Sequence, residues 1–269
     1  MSVPHDRLLI PAPAVTRRAW TWDAAFLAKL ASVPLLLLVW QSVCELGVVN
    51  LVLFPPPTVV AAALWEYVTQ GEGWQDLGAS LLRVSVGYFG GAAAGLVIGL
   101  YTGTRPVISG LLSPAFQLLR PIPPIAFVPV VIVWFGLSEW GKWFLIFWGV
   151  FFAVWMATHM GVQRINENLV RAALSLGESP HRLLWRVQLP AAAPVILVGL
   201  RTAVSIAFYT LVAAELSGAY AGIAYRMELT QQNMQIGHTL AGLVLLGVAS
   251  ALADKAFVWG SKRLVHWSS

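Results

Sequence analysis

Residues 171–194 read RAALSLGESPHRLLWRVQLPAAAP, a basic and partly apolar stretch set between two long apolar runs. Leu169, Ala172, Ala173 and Leu176 fall at i, i+3, i+4 and i+7, the spacing of one helical face, and Gly177 follows as a natural helix-ending residue. Ser179 suits an N-cap and Pro180 the first position of a second helix, on which Pro180, Leu183, Leu184 and Val187 repeat that spacing. Pro190, after Leu189, is expected to stop it. The pattern predicts helix, glycine turn, helix, with an apolar stripe on each and Arg171, Arg182 and Arg186 on the flanks. Such a hairpin either lies on anionic lipid or docks as a rigid knob into a groove on another protein.

Everything around it is built for hydrocarbon. With 58% hydrophobic and 11% charged residues and a mean hydropathy of +0.73, the chain lies outside the range of soluble domains. Its 23 glycines and 16 prolines would disrupt soluble helices but are tolerated in membrane helices, where neighbours satisfy the freed backbone groups. The one cysteine, Cys44, excludes an intrachain disulfide and a cysteine metal cluster. A net charge of +5 is compatible with an anionic partner, and equally with basic residues that mark the cytoplasmic side. Nothing points to nucleic acid. Arg17 and Arg18 before an apolar run resemble a targeting signal, but the run from Ala28 to Leu46 is long enough to span and no small-residue cleavage site follows. Residues 1–27, with Pro4, Pro11 and Pro13, are therefore expected to be a cytoplasmic tail.

A span needs about 20 apolar residues for about 30 Å of hydrocarbon. Six runs qualify, at approximately 28–46, 79–103, 111–135, 142–162, 192–216 and 238–258, leaving the hairpin at 164–190 and a tail at 259–269. Positive residues are retained inside. Arg7, Arg17, Arg18 and Lys29, then Arg105, then Arg164, Arg171, Arg182 and Arg186, then Lys262 and Arg263 all fall on one side of a six-span topology. The other side carries Glu66, Glu72 and Asp76, then Glu139 and Lys142, then Arg226 and Glu228. The reading is an all-α polytopic membrane protein of six transmembrane helices, with both termini and the hairpin cytoplasmic.

Two spans are irregular. In GYFGGAAAGLVIGLYTG, residues 87–103, glycines at 87, 91, 95, 99 and 103 form one drifting helical face that another backbone can approach closely. In LLSPAFQLLRPIPPIAFVP, residues 111–129, prolines at 114, 121, 123, 124 and 129 forbid a continuous helix, predicting an interfacial helix up to Arg120 and a broken one beyond. Broken helices often line the path of a transporter. Arg120 and Pro124 are candidates for such a path, although Arg120 could also snorkel to the interface. Among the other charges inside the spans, Arg83, Arg201 and Glu215 are further candidates for that path. Both arginines lie within snorkelling reach of a helix end, whereas a carboxylate near hydrocarbon must pair or reach water.

Enzyme motifs are missing from the sequence: His-Glu-x-x-His, Gly-x-Ser-x-Gly, a phosphate-cradling glycine loop and paired intramembrane aspartates. Any ATP-driven process must draw its motor from another polypeptide.

The hairpin resembles the EAA loop of binding-protein-dependent ABC importer permeases, roughly Glu-Ala-Ala, three residues, Gly, nine residues, Ile-x-Leu-Pro. Arg171, Ala172 and Ala173 take the first places, Gly177 follows the three-residue gap, and Val187, Leu189 and Pro190 close the pattern, with Arg171 replacing the glutamate. FPPPTVV, SLLRVSVGYFGG, RPIPPIAFVPVVIVWFGLSEWGK, GLRTAV and TLVAAEL extend the likeness to permeases for nitrate, sulfonates, taurine and bicarbonate. RPIPP and WFGLSEWGK are more similar to the taurine and aliphatic sulfonate members; permeases for thiamine precursors, riboflavin and aromatic acids share much of the pattern.

The resemblance implies a type I importer fold in a bacterial inner membrane and a non-catalytic subunit without its own cofactor. Two permease copies, or a pair of similar permeases, would form the path. Two cytoplasmic ATPase subunits binding ATP and Mg would engage the hairpin, and a periplasmic or lipid-anchored binding protein would deliver a small, anionic solute. A membrane-embedded enzyme and a passive channel are the rival classes.

Overall fold

The computed structural model describes residues 24–264, and among these every regular element is helical. The long helices are α1 (Ala24–Glu45), α3 (Glu72–Thr104), α6 (Glu139–Gln163), α9 (Leu189–Leu216) and α11 (Ile236–Leu264). Shorter ones lie between them: α2 (Pro57–Thr69), α4 (Pro106–Leu119), α5 (Val128–Phe135), α7 (Glu167–Ser175), α8 (Pro180–Leu183) and α10 (Ile223–Gln232). Five helices are long and apolar enough to cross a membrane, and α4 with the Pro124–Phe135 segment makes a sixth candidate, bent by 86°. The proline cluster breaks this span as the sequence predicts, with residues 120–123 outside any helix and a 3-10 turn at Pro124–Phe127 opening the second arm.

The boundaries depart from the sequence reading in informative ways. α3 begins at Glu72, seven residues before the expected 79, because Asp76, Ser80 and Arg83 are buried on partners instead of ending the helix. Its 33 residues rise about 50 Å at about 1.5 Å each, more than hydrocarbon requires. Val84 to Thr104 alone covers about 30 Å. The charged first turns therefore extend beyond the apolar slab. α11 continues to Leu264, so residues expected as tail from 259 are partly helical. α2 and α10 lie outside all the expected spans. Arg7, Arg17 and Arg18 and most of the expected N-terminal tail lie outside the described residues, as do residues 265–269.

The centre of the bundle is α6, with α3 along one side and α9 along another. Leu145, Ile146, Val150, Val154 and Trp155 of α6 are completely buried. Against α3 the approach is backbone to backbone. A Cβ on Gly91 would meet the Phe147 carbonyl oxygen at 2.7 Å, and one on Gly95 the Phe151 carbonyl oxygen at 2.7 Å and the Trp155 nitrogen at 2.9 Å. One on Gly99 would meet Thr158 Cβ at 2.6 Å. Gly87 and Gly103 abut Ile146 and Val162 in the same way, so the whole four-residue glycine repeat lies in this one seam. Close approach maximises dispersion contact where lipid leaves no hydrophobic drive for helix association. On its other side, Gly199 of α9 is packed on Ala157.

Gly95→Val is expected to destabilise the bundle by about 1–3 kcal/mol or more, since the atoms in its way are backbone and cannot rotate aside. Gly247→Ala, in open space on α11, is expected to be neutral or to stabilise by about 0.5–1 kcal/mol. Thermal unfolding midpoints of the two variants in detergent check this; equal midpoints would refute the seam.

Candidate functional site

Three constellations contain all but one of the polar residues singled out in the sequence, the exception being Arg201. The first ties together one end of the bundle. Arg83 of α3 grips Glu139 at the start of α6 with two hydrogen bonds, Nε to Oε2 at 2.7 Å and Nη2 to Oε1 at 2.9 Å. Its Nη1 donates to Glu215 Oε1 at 2.9 Å and to the Ala221 carbonyl at 2.6 Å. Glu215, with no exposed side-chain surface, also accepts from the Ser80 hydroxyl at 2.6 Å and the Ala224 amide at 2.8 Å. Asp76 accepts from the Gly222 amide, Arg226 Nε and the Tyr67 hydroxyl. Lys142 completes the cluster on Glu139 at 3.1 Å. Gly222 sits at φ +135°, and a side chain there would collide with the Glu215 carboxylate.

Such a cluster offsets the desolvation of its charges only because every carboxylate has several donors. Burial, and then the bond to Asp76, pushes the Tyr67 phenol well above its ordinary pKa, so it remains a neutral donor. Burial works against the Arg226 charge, but Asp76 and Glu72 outweigh it and raise its pKa. Arg83 and Glu215 are thus buried partners of each other; Arg83 does not snorkel, and neither residue lines the groove described next. Arg201 is elsewhere again, bound on the flank of the bundle to Asp254 of α11 by two bonds of 2.8 Å.

The second constellation is a groove of about 530 Å³ between the broken span, α6 and α9. Arg120 and Pro124 line it, with Trp148, Phe152 and Met156 of α6 and Val198, Thr202 and Tyr209 of α9. Arg120 is the C-cap residue just beyond the first arm, where the bend begins. Of the five residues considered for a path, the structure brings these two together and separates Arg83, Arg201 and Glu215 from them.

The third is the hairpin. Asn166 caps α7, accepting from the Asn168 amide at 2.9 Å. Gly177, at φ +81°, ends it: the Gly177 amide donates to Leu174 and the Glu178 amide to Ala173, the paired bonds of a Schellman closure. Ser179 is near the following Arg182 amide at 3.5 Å, a long cap contact. Ala173 and Leu183 are buried, whereas Leu169, Ala172 and Leu176 are exposed, Leu176 by 86%. Leu184, Val187 and Leu189 are partly buried. Arg171 pairs with Glu167 one turn earlier at 2.7 Å, both in solvent.

Here the structure corrects the sequence reading: Pro190 does not stop the second helix. α8 passes through a π turn at Leu184–Gln188 straight into α9, and Pro190 occupies the first turn of that helix. The Leu189 amide reaches back to the Leu184 carbonyl, five residues away. This wider register accommodates a proline ring that would clash with a four-residue helical bond, and the proline has no N–H to leave unpaired.

The comparisons with known proteins agree with this architecture. A profile of the binding-protein-dependent transport system inner membrane component family matches residues 91–265. The taurine transport system permease protein TauC of Escherichia coli K12 is 33% identical over 93% of this chain and 94% of its own length. The putative aliphatic sulfonates transport permease protein SsuC of Bacillus subtilis 168 is 32% identical over 95% and 93%. The bicarbonate transport system permease protein CmpB of Synechocystis is 29% identical over 85% of each. Among solved structures, a chain of the MetNI methionine ABC transporter in inward-facing conformations superposes with a TM-score of 0.56 at 19% identity, over 77% of this chain and 95% of that one. The chain belongs to the binding-protein-dependent transport system inner membrane component family. It is a multi-pass permease subunit of an ABC importer with the type I fold.

Arg83→Met is expected to cost about 3–5 kcal/mol by leaving Glu215 buried without its cation, and Arg83→Met with Glu215→Leu to recover part of that loss. A double-mutant cycle on unfolding in detergent measures the coupling; additive effects would show that the two charges do not depend on each other.

Proposed function

We propose that this chain is the inner-membrane path of a bacterial importer for a small organic or inorganic anion, of the taurine and sulfonate type or else nitrate or bicarbonate. Two copies, or this chain with a similar permease, enclose the path. Two cytoplasmic ATPase subunits bind ATP and Mg, and a periplasmic or lipid-anchored protein delivers the solute. Both termini and the hairpin face the cytoplasm. The chemistry of ATP is assigned to the partner because this sequence contains no phosphate-cradling loop.

The observation that carries this reading is the continuity of the hairpin with α9. The exposed tip around Leu176 is a docking surface of the helix-in-groove kind, held by the closure at Gly177. From Pro180 the chain stays helical to Leu216. Val198, Thr202 and Tyr209 of the same helix form one wall of the groove. A displacement of the hairpin when the ATPase dimer closes is therefore carried along a stiff rod to the path, with no loop to absorb it. α7 is joined to α6 by only Arg164–Asn166, so the opposite wall receives the same push.

The tagged chain is expected to recover an ATPase subunit from detergent extracts, and Leu176→Asp to reduce that recovery; a chain that never recruits an ATPase refutes the reading. Gly177→Leu meets no neighbour but places a side chain at φ +81°, at a conformational cost of about 1–2 kcal/mol. It should leave the spans inserted and uncouple ATPase activity from uptake. Wild-type uptake in that variant would show that the turn does not matter.

A further inference from the structure

Among the described residues, Arg120 is the one charged side chain that lines the groove at the broken span. No carboxylate among them pairs with its guanidinium, in contrast to Arg83, Arg201 and Arg226, which are each held by at least one. The Thr202 hydroxyl is already committed to the Val198 carbonyl at 2.9 Å. What remains is mainly apolar and aromatic: Trp148, Phe152, Met156 and Ile206, with Tyr209 at 62% exposure. A single cation beside a low-dielectric wall attracts anions and repels cations, because neighbouring hydrocarbon focuses its field. The same wall offers few partners to a small inorganic anion that must shed its water, but it covers a carbon body well.

We infer that Arg120 is the charge-selecting residue of the groove, and that a small organic anion passes beside it. The oxyanion head lies against the guanidinium and the carbon body against Trp148, Phe152 and Met156. This rests on the importer reading and narrows it, favouring organic sulfonates over nitrate or bicarbonate. With no carboxylate lining the groove, an ammonium on the solute receives no recognition there.

The test does not depend on ATP. In the full-length chain in membrane vesicles, Cys44→Ala removes the one native thiol and Met156→Cys places one in the groove wall. Its labelling by sulfonatoethyl methanethiosulfonate is compared with that by the trimethylammonioethyl reagent, each rate relative to a free thiol in solution. With Arg120 the anionic reagent is expected to have an advantage of about tenfold. Arg120→Lys should keep most of that preference, Arg120→Gln should abolish it and Arg120→Glu should reverse it. Pentane-1-sulfonate should protect the thiol, and nitrate at the same concentration should not. An unchanged ratio in Arg120→Gln, equal protection by nitrate, or no labelling by either reagent because a second copy covers the groove would each overturn the inference. The expected labelling pattern in a chain without ATP-driven uptake would uphold the groove's selectivity and refute the importer reading alone.

Discussion

The rest of the structure depends on the contact of α3 with α6 through atoms of the backbone. In lipid, two helices gain nothing from hiding apolar side chains, since the surroundings are as apolar as they are. Association comes from packing, and packing is densest where side chains vanish. Gly91, Gly95 and Gly99 let α6 approach until its own carbonyls and Thr158 occupy the space of a Cβ. α6 then lies deep enough for Leu145, Ile146, Val150 and Val154 to form the core shared with α9.

At one end of this seam, α3 outruns the apolar slab and carries Asp76, Ser80 and Arg83 to the starts of α6 and α10 and the end of α9. The charges there act as a rivet. Arg83 contacts α6, α9 and the link into α10 at once, so relative sliding of the three would break charge-assisted bonds in a poorly solvated place. One end of the bundle is thereby held, while the hairpin is attached to the opposite ends of α6 and α9. In the import cycle proposed above, a body pinned at one end and pushed at the other tilts, which is the motion that alternating access requires.

The broken span supplies the remaining part. Prolines at 121, 123 and 124 bend the chain through 86° and leave its turn against α6 and α9. Irregular backbone at such depth is tolerated where it lines a cavity. The groove combines that bend with a wall on α9, the helix continuous with the hairpin, so the hairpin and one wall of the groove belong to a single rod.

Much of this was legible in the residues. Apolar runs located the membrane helices, the glycine repeat marked a packing face, Gly177 marked the turn of the hairpin, and clustered prolines marked the break. Each is local, because hydropathy, missing side chains and a missing N–H act within a few residues. That the Glu215 carboxylate must pair or reach water was legible, but its pairing with Arg83 was not, as the two are 132 positions apart and Arg83 alone looks like a snorkelling charge. Nor was the fate of Pro190, since a π turn and a helix stop both satisfy a proline's local demands and the packing of α9 on α6 selects between them. The sequence by itself determined which long segments are apolar and helical and where prolines bend the broken span. Tertiary structure alone decided which charges meet and which helix continues into which, because ion pairs and packing seams depend on distances between residues far apart in the chain.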